Sequence, residues 1–217
     1  YYYAGPAKQG KEQHKCITVL RMSFDGSRPA FLEHGSVHVV EEERGLAEPS
    51  IILFQDRFFL TVRHDHRGYV TTGDDGLHFE ALRPWTFDDG SELGNYNTQQ
   101  HWLKHGDRLF LVYNRKSDLN RGVFRSRAPL FLAEVDPARL CVIKESERVV
   151  FPEKGARMGN FCIADVGPKE SWIITGEWLE GKFDHVRPGN RFYVENAAIN
   201  YMQYIGDLLL ARVIWKT

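Results

Sequence analysis

Ala47-Glu48-Pro49-Ser50-Ile51-Ile52-Leu53-Phe54 and Arg57-Phe58-Phe59-Leu60-Thr61-Val62-Arg63 decide the fold of this chain. Both runs have strand length and strand composition, and only the polar pair Gln55-Asp56 separates them. Two such runs across a two-residue turn predict an antiparallel hairpin. A carboxylate stands near the start of the first strand and a guanidinium closes the second. In a hairpin those ends lie side by side, so the register brings Glu48 to Arg63.

Three further segments repeat the layout of strand, short polar turn and strand. They are His101–Tyr113 around His105-Gly106-Asp107, Phe161–Thr175 around Gly167-Pro168-Lys169, and Ile199–Trp215 around Gly206-Asp207. Turns recurring roughly every 40 to 60 residues suit propeller blades, each a small antiparallel sheet. A β-sandwich also uses short strands and Gly/Asp turns, and the recurrence favours the propeller. Lys15 to Phe24, Ser36 to Glu42, Gly68 to Thr72, Arg127 to Asp136 and Cys141 to Val150 supply further strands. The loops Asp88 to Asn97, Lys116 to Gly122 and Gly181 to Asn190 join them. The expected architecture is all-β: one domain over residues 1–217, a β-propeller of four-stranded blades with about four present.

Composition bounds the function. The chain has 217 residues, a net charge of -1 and both signs mixed throughout, with nothing to suggest a nucleic-acid stripe or a polybasic membrane patch. No apolar run is long enough to cross a membrane as a helix. Cys16, Cys141 and Cys162 are too few and too far apart for a disulfide framework or a zinc cluster, and read as small apolar residues. His64-Asp65-His66 has the look of a metal triplet, but such a run is more often a polar loop. No metal and no cofactor is expected.

Thr72-Gly73-Asp74-Asp75-Gly76-Leu77-His78-Phe79 follows the deciding hairpin and reads as a degenerate Asp-box, a turn in which Asp74 would accept backbone amides above a packed Phe79. Glu, Arg and Asp-box in that order, with Arg127-Ala128-Pro129-Leu130-Phe131 and Gly155-Ala156-Arg157-Met158-Gly159-Asn160-Phe161, resemble the sialidase superfamily, in particular sialidase-like proteins of bacterial glycan degradation. The resemblance implies a six-bladed ring, completed by further N-terminal blades or a partner chain. It also implies an acidic glycan whose carboxylate is clamped by arginines, and an extracellular or periplasmic setting. Arg63 and Arg127 fall on clamp positions, and Glu48 falls on that of the carboxylate base. Asn160 stands where the family has its tyrosine nucleophile, so a retaining sialidase mechanism lacks its phenol.

His101 opens a polar strand start, Asn97-Thr98-Gln99-Gln100-His101-Trp102. Strand starts line a propeller pocket. His101 is therefore a candidate general base and Trp102 a candidate sugar platform, beside the structural roles that histidine and tryptophan also fill. The expected activity is a sialidase-like glycoside hydrolase. The alternatives are a uronic-acid lyase on the same fold and a glycan-binding propeller without turnover.

Overall fold

The computed structural model describes residues 2–4, 14–120, 123–153, 156–179 and 207–216. Among these residues the architecture is all-β, and helical structure is confined to the 3-10 turns Asp118–Asn120, Phe124–Ser126 and Lys144–Ser146. The chain divides into two compact units. One comprises Tyr1–Tyr113 with Leu132–Arg148, the other Asn114–Phe131 with Val149–Thr217.

In the first unit the deciding hairpin forms as read. Ala47–Phe54, Arg57–Arg63, Tyr69–Gly73 and Arg83–Pro84 make a four-stranded antiparallel meander in chain order. Gln55 and Asp56 both take positive φ, 48° and 60°, as a two-residue primed turn requires. The second strand is interior to the sheet, and every residue from Phe59 to Arg63 is buried. That explains its nearly unbroken apolar run, since a strand covered on both faces loses the polar alternation. Leu60 and Val62 join Ile17, Leu46 and Phe79 in a core cluster. His101–His105, Arg108–Tyr113, Leu130–Asp136 and Cys141–Val142 follow in order in a second sheet.

The stretch Lys15 to Phe24, expected as one strand, is two. Lys15–Ile17 pairs with Tyr2–Ala4 and His38–Val39, whereas Leu20–Phe24 turns away into a hairpin with Pro29–His34. The break falls at Thr18-Val19. The buried Thr18 hydroxyl donates to the Gly35 carbonyl at 3.3 Å, and the Gly35 N–H donates to the Val19 carbonyl at 3.0 Å. Those bonds hold the chain in a bend rather than a ladder.

The turn after Tyr69–Gly73 corrects one residue. Asp75, not Asp74, accepts the backbone N–H groups, from Leu77 at 2.9 Å and His78 at 2.7 Å. Asp74 points outward and meets Arg57 at 3.3 Å, while Phe79 is buried as expected. The His78 amide, the His78 ring and the Leu77 amide hold the Asp75 carboxyl well below the ordinary carboxylate range. A depressed folded-state value stabilises the fold above the unfolded pKa near 3.9, and that contribution fades as pH falls below it. Asp75→Ala is therefore expected to lower the melting temperature at pH 7, with a smaller difference from wild type at pH 3. An equal difference at both pH values would show that the charge is not what caps the turn.

In the second unit Ala156–Gly167, Glu170–Leu179 and Leu208–Ile214 form an antiparallel sheet in that order. Ile173 on the middle strand and Met158 near the start of the first are buried. Register shifts interrupt the first pair between Met158 and Phe161 and between Asp165 and Gly167. Leu208–Ile214 is paired with Glu170–Leu179, and the strand expected from Ile199 to Tyr204 lies outside the described residues, as does the loop 181–190. Arg212 grips Glu170 through Nε at 2.5 Å and Nη2 at 2.9 Å. Arg212 and the Trp172 indole hold the Glu170 carboxyl down at about 2.

Candidate functional site

Glu48 sits in an irregularity of the deciding hairpin. The ladder runs Ala47 to Arg63 and resumes at Ser50 to Thr61, leaving Glu48 and Pro49 in the shift between them. Pro49 has no N–H to give a ladder, which favours a bulge there. Glu48 takes φ of 49°, the left-handed region that a non-glycine residue occupies at a cost of about 1–3 kcal/mol. The result re-aims its carboxylate. Oε1 accepts from Arg63 Nη1 at 2.6 Å, and Oε2 is buried with no hydrogen-bond partner among the described residues.

Arg63, only 8% exposed, also donates through Nη2 to Asn97 Oδ1 at 2.5 Å. The same oxygen accepts from Arg44 Nη2 at 3.0 Å. Arg44 in turn forks onto Asp65, through Nε to Oδ2 at 2.7 Å and through Nη2 to Oδ1. The Arg44 guanidinium keeps the Asp65 carboxyl below its usual value. The array thus runs Glu48, Arg63, Asn97, Arg44, Asp65, with two cations meeting at a neutral centre and a carboxylate at each end.

A cavity of about 160 Å³ opens over this array, lined by Lys15, Arg44, Ala47, Glu48, Arg63 and Asp65 among others. Gly45 makes its rim possible. Its φ is 74°, and a Cβ there would meet the Lys15 carbonyl oxygen at 2.3 Å, so only glycine lets the two segments touch. Among the described residues no group of His, Cys, Asp and Glu is placed to hold a metal ion. The His64-Asp65-His66 run is a polar loop. His64 Nδ1 accepts the His66 N–H at 3.2 Å, its Nε2 faces the Glu42 carbonyl at 3.1 Å, and the His66 ring meets Glu43.

His101 is half-buried, with Nδ1 3.2 Å from the Ser50 hydroxyl on the strand that carries Glu48. Trp102 is 5% exposed and packs edge-on to Phe59 and against Trp85, and its indole N–H donates to the Ser50 carbonyl at 3.0 Å. That is a core position, not an open platform. Tyr113, fully buried, donates its phenol to Glu147 at 2.6 Å, a pairing closed to solvent on the tyrosine side.

In the second unit Arg127 Nη1 reaches Asn160 Oδ1 at 3.4 Å, and the Arg127 carbonyl accepts the Met158 N–H at 3.0 Å. Asn160 lies in the register shift between Met158 and Phe161 and is exposed. Sequence reading paired Glu48 with Arg63 and named Arg127 and Asn160 on separate grounds, but it placed none of Arg44, Asp65 and Asn97 in this array. The polar run after Asn97 was the available signal for the last of these.

No family model matches the sequence, and no curated protein matches it. Among solved structures the chain is similar to the GH32 β-fructofuranosidase BmSUC1 of Bombyx mori, with 9% identity over 97% of this chain and 43% of that one, at a TM-score of 0.51. It also matches the xylan β-1,4-xylosidase of Bacillus halodurans C-125, with 11% identity over 78% of this chain and 35% of that one, at a TM-score of 0.48. A third match is GH43B of the Bacteroides ovatus xyloglucan PUL, with 9% identity over 82% of this chain and 38% of that one, at a TM-score of 0.45. The likeness to BmSUC1, at a TM-score of 0.51 and 9% identity, is one of fold alone. The chain spans about two fifths of the length of these structures.

Proposed function

We propose that this chain is part of a propeller-type glycoside hydrolase and that the Glu48–Arg63 cavity is where it meets its glycan. One observation carries the reading. Glu48 is held in strained backbone, with one carboxylate oxygen fixed by Arg63 and the other buried and without a partner among the described residues. A buried acceptor without a donor is costly, so a site that keeps one is suited to a ligand hydroxyl or an attacking water. Arg63 fixes the orientation and the charge of Glu48, which then serves as general base or as electrostatic partner.

Three cations against two carboxylates line the cavity, which favours a carboxylate-bearing sugar. Arg63 is already engaged by Glu48 and Asn97. Arg44 is engaged as well, by Asp65 and Asn97, but it is half exposed where Arg63 is nearly buried, so it is the guanidinium that a ligand carboxylate can reach. Completion of the ring by further blades or a partner chain, and an extracellular or periplasmic setting, belong to the same proposal. Asn160, in place of the tyrosine, supports a second reading, glycan binding without turnover.

The test is a panel of chromogenic glycosides, sialosides and uronides included, with polyuronates watched for near-ultraviolet absorbance. Release of reducing sugar is expected from an acidic glycan, with little turnover of sialosides. Glu48→Gln should cut turnover about a hundredfold or more and leave binding within a few-fold. Wild-type turnover by Glu48→Gln would remove Glu48 from the chemistry. An unsaturated product would point to elimination.

A further inference from the structure

Two guanidinium groups converge on one neutral oxygen, Asn97 Oδ1, from Arg63 at 2.5 Å and Arg44 at 3.0 Å. Like charges so close repel, and only a shared acceptor with carboxylates on the flanks offsets this. The acceptor is itself fixed. The Asn97 N–H donates to the His64 carbonyl at 2.8 Å, and its φ of 51° lies in the left-handed region where asparagine is well tolerated. His64 lies between Arg63 and Asp65 in sequence, so the tether ties Asn97 to the segment that bears one guanidinium and the carboxylate of the other pair.

We propose that Asn97 is a positioning residue of this site: it sets Arg63 against Glu48 and couples Arg44 to the same array, so that Oε1 of Glu48 is spent on Arg63 and Oε2 is left for the ligand. The inference rests on the reading of Glu48 as the working carboxylate. Residue type matters. A neutral oxygen holds both cations without drawing either from its carboxylate, whereas an aspartate would compete with Glu48 and Asp65 for them. Without an acceptor, Arg63 would keep Glu48 alone and swing about that contact.

The test is nitrogen–carbon correlation NMR of arginine side chains in the full chain, with the Arg63 signals assigned by their loss in Arg63→Lys. Restrained rotation should give resolved Nη signals for Arg63 in the wild type. Asn97→Gly keeps the left-handed backbone at little cost and should average them, and Asn97→Asp should keep them resolved. If Asn97→Gly fails to fold, Asn97→Ser, whose hydroxyl falls short, should show the same averaging. On the glycan identified by the panel above, Asn97→Gly should lower kcat about tenfold with KM within about twofold, since a hydrogen bond to a charged group is at stake. Resolved Arg63 signals in Asn97→Gly, or averaged ones in the wild type, would overturn the proposal. The NMR readout needs no turnover. A wild type inactive on every glycan would sink the hydrolase reading and leave the positioning result to be judged separately.

Discussion

Arg63→Leu should cost the first unit about 3 kcal/mol, read as a shift of its urea unfolding midpoint. The magnitude follows from what the substitution strands. Glu48 would keep a carboxylate that is largely out of water, with Oε2 lacking a partner among the described residues, and would lose the Arg63 donor that holds Oε1. Breaking a buried ion pair from one side costs about 3–5 kcal/mol, and the partial exposure of Glu48 places this pair at the lower end. The double variant Arg63→Leu with Glu48→Gln should recover part of the loss, because the stranded charge is gone. A single-variant loss below about 1 kcal/mol would class the pair with surface salt bridges. Purely additive losses would mean that the two side chains do not couple.

Trp102→Ala should be as damaging, by about 3–5 kcal/mol, since it empties a nearly closed space between Phe59 and Trp85. It also strands the Ser50 carbonyl that accepts the indole N–H. Trp102→Phe separates the two effects. It keeps most of the packing and should cost about 1–3 kcal/mol, from one lost hydrogen bond at a part-buried acceptor plus a small void. Neither variant should alter KM for a glycan at equal folded concentration. A raised KM in Trp102→Phe with unchanged stability would instead restore Trp102 as a sugar platform.

Local patterning was readable. The Ala47–Phe54 and Arg57–Arg63 strands, their two-residue turn and the meeting of Glu48 with Arg63 follow from strand composition, turn length and hairpin register, all within 17 residues of chain. What failed to show was contact across distance and choice between neighbours. Asn97 joins Arg63 from 34 residues away and Arg44 from 53, separations at which no periodicity operates. Asp74 and Asp75 are chemically alike, and only the backbone path, with Gly76 at φ of 74°, decides that Asp75 faces the amides. Lys15 to Phe24 looked like one strand because its apolar residues do not announce the buried Thr18 bond that bends it. The bulge at Glu48 was half visible in Pro49, whose missing N–H forbids a continuous ladder but does not say which way the carboxylate turns.

The Arg212–Glu170 fork has a consequence apart from the sheet it decorates. As an exposed ion pair it adds little to folding free energy. Yet Leu208-Leu209-Leu210-Ala211-Arg212-Val213-Ile214 carries no other charge, and Leu208 and Ile214 are among its well-exposed side chains. Among the described residues this strand ends its sheet, and a seven-residue apolar strand in that place is a template for self-association, in which one fixed cation in the middle acts as a gatekeeper. In colloidal terms Arg212 bears on how concentrated the protein can be before it precipitates, and with a pI of about 6.8 the favourable storage buffer is one held well above neutrality, where net charge keeps molecules apart while Glu170 stays charged beneath Arg212.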